Sequence, residues 1–96
     1  MLIAISKYLT PLDEVDVHRA KHHQYLKPLF ESKKLLIAGR QNNDLGGVII
    51  ARTLSKEEFE QILAQDPFTM AGVSKYTIYE FTPSFYDECF ANRFEC

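Results

Sequence analysis

Leu35-Leu36-Ile37-Ala38-Gly39-Arg40-Gln41-Asn42-Asn43-Asp44-Leu45-Gly46-Gly47-Val48-Ile49-Ile50-Ala51 is the stretch that decides the fold. Leu35 to Gly39 is an unbroken apolar run, short enough for a buried strand. Arg40 to Gly47 gathers Asn, Asp and Gly, whose backbone preferences mark a turn. Val48 to Ala51 returns as a second strand, so the segment is a hairpin.

On the N-terminal side, Thr10-Pro11-Leu12-Asp13 is a helix start, with Pro in the first turn and acids facing the positive helix end. Val15, His22, Leu26 and Leu29, with Phe30 adjacent, follow offsets of 0, 7, 11 and 14, which is helical spacing up to about Lys34. Pro28 lies inside this pattern and predicts a kink near residues 24–25, because it lacks a donor and crowds the carbonyl of Gln24. Residues 2–8 alternate as a strand, Ile3 and Ile5 against Ala4 and Ser6.

On the C-terminal side, Ser55-Lys56-Glu57-Glu58 matches a capping box and opens a helix over about 55–65, with Phe59, Ile62 and Leu63 inward. Asp66-Pro67-Phe68 breaks that helix, and Ser74 to Phe81 alternates as a last strand. The order strand, helix, strand, strand, helix, strand predicts an α+β, ferredoxin-like βαββαβ domain with a four-stranded antiparallel sheet over residues 1–83. Residues 84–96 form a tail whose Phe85, Tyr86, Phe90 and Phe94 are expected to pack on this chain or on a partner subunit. With helices on one face only, the other apolar face needs a cover, so a homodimer or higher homo-oligomer is expected.

The charge balance, eleven basic against thirteen acidic residues, provides no basic face, so nucleic-acid binding is not expected. No apolar run approaches the roughly 20 residues that span a membrane, and the N-terminus lacks the basic start of a signal peptide. Cys89 and Cys96 are too few for a disulfide framework, which fits a cytoplasmic protein with reduced thiols.

Arg19-x-x-His22 in the first helix, Leu35 to Gly39 opening the hairpin, and Asp66-Pro67-Phe68 followed by Ala71-Gly72-Val73 together resemble the YciI-like (YCII-related) family of the dimeric α/β-barrel superfamily. The resemblance spans roughly residues 2–82. It implies a dimer whose two sheets face each other around a pocket, with a His and an Asp as active-site residues that map to His22 and Asp66. Some relatives in that family perform dehydrochlorination or act on hydroxylated aromatic rings. The wider superfamily includes lactone isomerases and monooxygenases.

The residues themselves allow two readings. His22 falls on the apolar stripe of its helix, as a general acid or base in a pocket would, or as a core histidine satisfied by a carbonyl. Asp66 before Pro67 is a helix N-cap, a partner that orients His22, or both, since one carboxylate has two oxygens. Arg19 and Arg40 could hold a substrate anion through their planar forks, or make surface ion pairs. His18 and His22 have chelating spacing, but no third ligand accompanies them in the pattern, so neither metal nor organic cofactor is expected. The leading expectation is a cofactor-independent enzyme using a His22–Asp66 acid/base pair on a small anionic or ring-containing metabolite, of isomerase, lyase or dehydrochlorinase type. The alternative is a non-catalytic dimeric ligand-binding or accessory protein.

Overall fold

Strand β1 (Leu2–Tyr8) starts the chain in the computed structural model, which describes residues 1–52 and 54–90. It is followed by α1 (Leu12–Asp16), α2 (Arg19–Glu31), β2 (Leu35–Arg40), β3 (Gly47–Ala51), α3 (Lys56–Ala64), α4 (Pro67–Met70) and β4 (Ser74–Glu80). A short 3-10 turn occupies Glu88–Phe90. The four strands form one antiparallel sheet in the order β2-β3-β1-β4, the ferredoxin-like arrangement.

Alternation along the strands sorts residues to the two faces. Leu2 and Ala4 of β1 and Ile49 and Ala51 of β3 point toward the helices, where they bury with Leu26 of α2 and Phe59 of α3. Both long helices therefore cover the same face. A smaller cluster of Val15, Phe68 and Val73, with Tyr8 against it, closes the end where α1, α4 and the start of β4 meet.

The opposite face is open. The registers Ile37↔Ile50, Ile50↔Ile3 and Ile3↔Tyr79 align one apolar row across all four strands. Ile37 is 50% and Tyr79 55% exposed there. The apolar run Leu35 to Gly39 is thus an edge strand, buried only at Leu35, and not the buried strand expected from its composition. An apolar run reads the same in the sheet interior and at its edge, and neighbours decide which it is.

The first helical segment also differs from expectation. Its break falls at Val17–His18, and α2 continues through Pro28. The break lets Val15 enter the small cluster while Leu26, one helix further on, enters the main one. Helix α2 ends in a left-handed Lys33 (φ 64°), where Lys34 N–H donates to Leu29 O and Lys33 N–H to Phe30 O, a Schellman closure. In α3 the Ser55 hydroxyl accepts from Glu58 N–H as expected, but the Glu58 carboxylate faces Lys34 Nζ at 3.4 Å. In the tail, Phe85 is 96% exposed; Phe94 and Cys96 lie outside the described residues.

The hairpin loop docks on β1. Tyr8 N–H donates to Leu45 O at 2.8 Å, and Gln41 Nε2 donates to Ser6 O at 3.0 Å. A Cβ at Gly46 would collide with the Ser6 carbonyl, whereas one at Gly39 would meet nothing within 4 Å. Gly46→Ala should destabilise the fold by about 1–3 kcal/mol, the usual cost of overpacking. Gly39→Ala should be neutral or stabilising by up to about 1 kcal/mol. Chemical denaturation of both variants checks this, and equal midpoints would refute the docking account.

Candidate active site

Small residues make room for the site. Ala38, Gly47 and Ser6 occupy inward positions on three adjacent strands, and their short side chains leave space beneath α2. The result is a cavity of about 680 Å³ between α2 and the sheet, walled by Leu26 and Phe30 on one side and the β2–β3 hairpin on the other. His22, Arg19, Arg40, Phe68 and Tyr76 all reach it.

Asp66 is fully buried, with 0% exposure. A carboxylate without water needs donors on its oxygens, and three are present. Oδ1 lies 2.7 Å from His22 Nδ1 and accepts from Phe68 N–H at 3.0 Å. Oδ2 accepts from the Tyr76 hydroxyl at 2.6 Å. Asp66 therefore caps α4 and engages His22 at once, as two lone pairs on one oxygen allow. Gly72, at φ 73°, closes that short helix and turns the chain into β4, which carries Tyr76 back to the carboxylate.

The His22 ring stacks on Phe68, with centroids 3.9 Å apart and planes 9° from parallel. With Nδ1 turned to Asp66, the ring's other nitrogen, Nε2, is the one left for a ligand. An anionic acceptor on one ring nitrogen fixes the tautomer and stabilises the imidazolium formed when the other takes a proton. Burial first, and then the Asp66 charge, push the Tyr76 hydroxyl far above the usual tyrosine range, so it remains a donor at any working pH.

Arg19 stands one turn before His22 on the same helix face. Its Nε donates to Asp16 Oδ1 at 2.7 Å, its Nη2 reaches Tyr8 OH at 3.4 Å, and its guanidinium carbon lies 5.4 Å from the Phe68 ring centre. Arg40 pairs with Asp44 at 3.4 Å and lies 3.8 Å from Asp16. Of the four residues singled out from sequence, Arg19, His22 and Arg40 line one cavity, and Asp66 is buried behind it in contact with His22. His18 is the N-cap of α2 and His23 is exposed, and the described residues hold no group of three His, Cys, Asp or Glu able to bind a metal.

Tyr76 and Phe68 belong to the site as well. Tyr76 alternates with Ile78 like any packing residue, and its one signal is that an inward tyrosine on a core strand needs a partner for its hydroxyl. The cavity lies within one chain on the helix-bearing side of the sheet, because α2 and α4 both sit on that side.

No helix among the described residues is long and apolar enough to cross a membrane. A comparison with curated proteins gives no match. Among solved structures, the chain is similar to the 5-chloro-2-hydroxyhydroquinone dehydrochlorinase of Burkholderia phenoliruptrix AC1100 in complex with 2,5-dihydroxybenzoquinone. The TM-score is 0.68 and the identity 26%, over 85% of this chain and 94% of that one. A family model for the YCII-related domain matches residues 1–82, so on fold and sequence together the chain belongs to the YCII-related family.

Proposed function

We propose that this protein is a small acid/base enzyme in which His22 moves a proton on an anionic, ring-containing metabolite while Asp66 orients and charge-balances it. The observation that carries the reading is the 2.7 Å contact between His22 Nδ1 and the buried Asp66 carboxylate at the wall of a cavity large enough for a ring. The similarity to a dehydrochlorinase that binds a dihydroxybenzoquinone supports the ring and the reaction class. In loss of HCl, the free His22 nitrogen moves one ring hydroxyl proton to the chlorine-bearing carbon, giving the keto tautomer. It then takes a second hydroxyl proton as that C–O bond becomes a carbonyl and the ring double bonds shift toward the chlorine-bearing carbon. The C–Cl bond breaks and its electron pair leaves on chloride. Arg19 and Arg40 hold the anionic end, and the chemistry needs only the imidazole and its carboxylate.

The competing reading, a ligand-binding protein without turnover, is favoured by one fact: Asp66 already has a structural task as the cap of α4. Chloride release from 5-chloro-2-hydroxyhydroquinone separates the two. Under the enzyme reading, His22→Asn and Asp66→Asn each lower the rate by about 100-fold to 10,000-fold with the far-UV circular dichroism unchanged. Binding of 2,5-dihydroxybenzoquinone with no chloride release by the wild-type chain would favour the ligand-binding reading.

Tyr76→Phe removes a donor from a buried charge and should cost about 1.5–3 kcal/mol of stability, together with catalytic rate. The pH dependence has a definite sign. Tyr76 ionises later in the folded chain than in the unfolded one, so the folded state holds the extra proton and stability falls as pH rises above about 10. In Tyr76→Phe that part of the alkaline loss should vanish from denaturation curves; an unchanged slope would show that Tyr76 is not the responsible group.

The open sheet face supports a two-fold dimer. The row Ile37, Ile50, Ile3 and Tyr79, with Ile5 40% exposed beside it, is an apolar surface of the kind subunits bury. Light scattering at micromolar concentration should give a dimer that Ile5→Lys dissociates. A wild-type monomer would refute this assembly.

A further inference from the structure

Two of the arginines that line the cavity share a carboxylate that the chemistry above does not use. Asp16, the last residue of α1, sets a single oxygen, Oδ1, between two guanidiniums, 2.7 Å from Arg19 Nε and 3.8 Å from Arg40 Nη2. Both arginines line the cavity, one from α2 and one from the end of β2. An acid at the C-terminal end of a helix meets partial negative charge, so Asp16 gains nothing from its own helix. The two cations account for its place.

The two sides of this contact differ in how firmly they are held. Arg19 is braced by Tyr8 and by the ring of Phe68. The Asp16 side chain is 49% exposed and adjoins Val17, itself exposed in the break between α1 and α2. The carboxylate can therefore turn into water without disturbing packed residues. Exposed ion pairs of this kind are weak and easily exchanged.

We propose that Asp16 is the displaceable occupant of a carboxylate subsite. A ring compound bearing a carboxylate enters the cavity, its carboxylate takes the place of Asp16 between Arg19 and Arg40, and its ring lies against Leu26 and Phe30 beside His22. The planar donor forks of two arginines suit a carboxylate better than a neutral hydroxyl. This rests on the reading of the cavity as the ligand site and adds that, among ring anions, those bearing a carboxylate engage both arginines. Asp16 then sets specificity, because a neutral ring compound has nothing with which to displace it.

NMR titration with benzoate, and with benzamide as its neutral counterpart, tests the subsite in wild-type protein and in Asp16→Asn. Benzoate should shift the Arg19 Nε–H and the His22 ring signals. Asp16→Asn should bind benzoate about two- to fivefold more tightly, since a weak internal competitor has been removed. Benzamide affinity should be the same in both proteins. Unchanged or weaker benzoate binding in Asp16→Asn would overturn the proposal, the latter by making Asp16 a brace for Arg19. So would benzoate that binds neither protein. Benzoate binding involves no proton transfer, so this outcome is independent of whether the His22 and Asp66 variants lose turnover.

Discussion

A carboxylate with no access to water is the constraint on which the site depends. Left unpaired, the Asp66 charge would cost several kcal/mol. It is held instead by donors from three separate elements: His22 from α2, the Phe68 amide from α4 and the Tyr76 hydroxyl from β4. Each donor can reach the carboxylate only if its element is docked. Satisfying Asp66 therefore requires the same arrangement that places His22 at the cavity wall, and fold and site are stabilised together.

The cavity has a matching origin in what the core omits. A well-packed interior leaves few voids, and filling this one with larger side chains would contribute stability. Ser6, Ala38 and Gly47 forgo that contribution beneath α2, while Phe59 and Leu63 fill the space beneath α3. The covered face of the sheet is thus divided into a packed half and an open half. His22 and Phe68 stand at the boundary, where a ring compound would meet apolar walls on one side and the charged network on the other.

Much of the fold was legible because it is written in local chemistry. The hairpin follows from an Asn/Asp/Gly turn between apolar runs, α3 from its Ser55 cap, and β4 from strict alternation. Strand order follows from these elements by packing each half as a βαβ unit. The break at Val17–His18 was not legible, since neither glycine nor proline marks it. It arises because Val15 and Leu26 belong to different clusters, a long-range demand that helical spacing does not encode.

By itself the sequence determined the four strands and the two main helical segments, the antiparallel ferredoxin-like order, and two anomalous residues: a histidine on an apolar stripe and an aspartate before a proline. The tertiary structure alone decided that these two, 44 residues apart, touch, and that Tyr76 completes the set. It also decided that the cavity opens on the helix side of the sheet and that Asp16 stands between the two arginines. The physical reason is that periodicity and capping act over a few neighbouring residues. A buried charge is instead satisfied by whichever donors the completed packing brings within about 3 Å, and no local pattern records which those are.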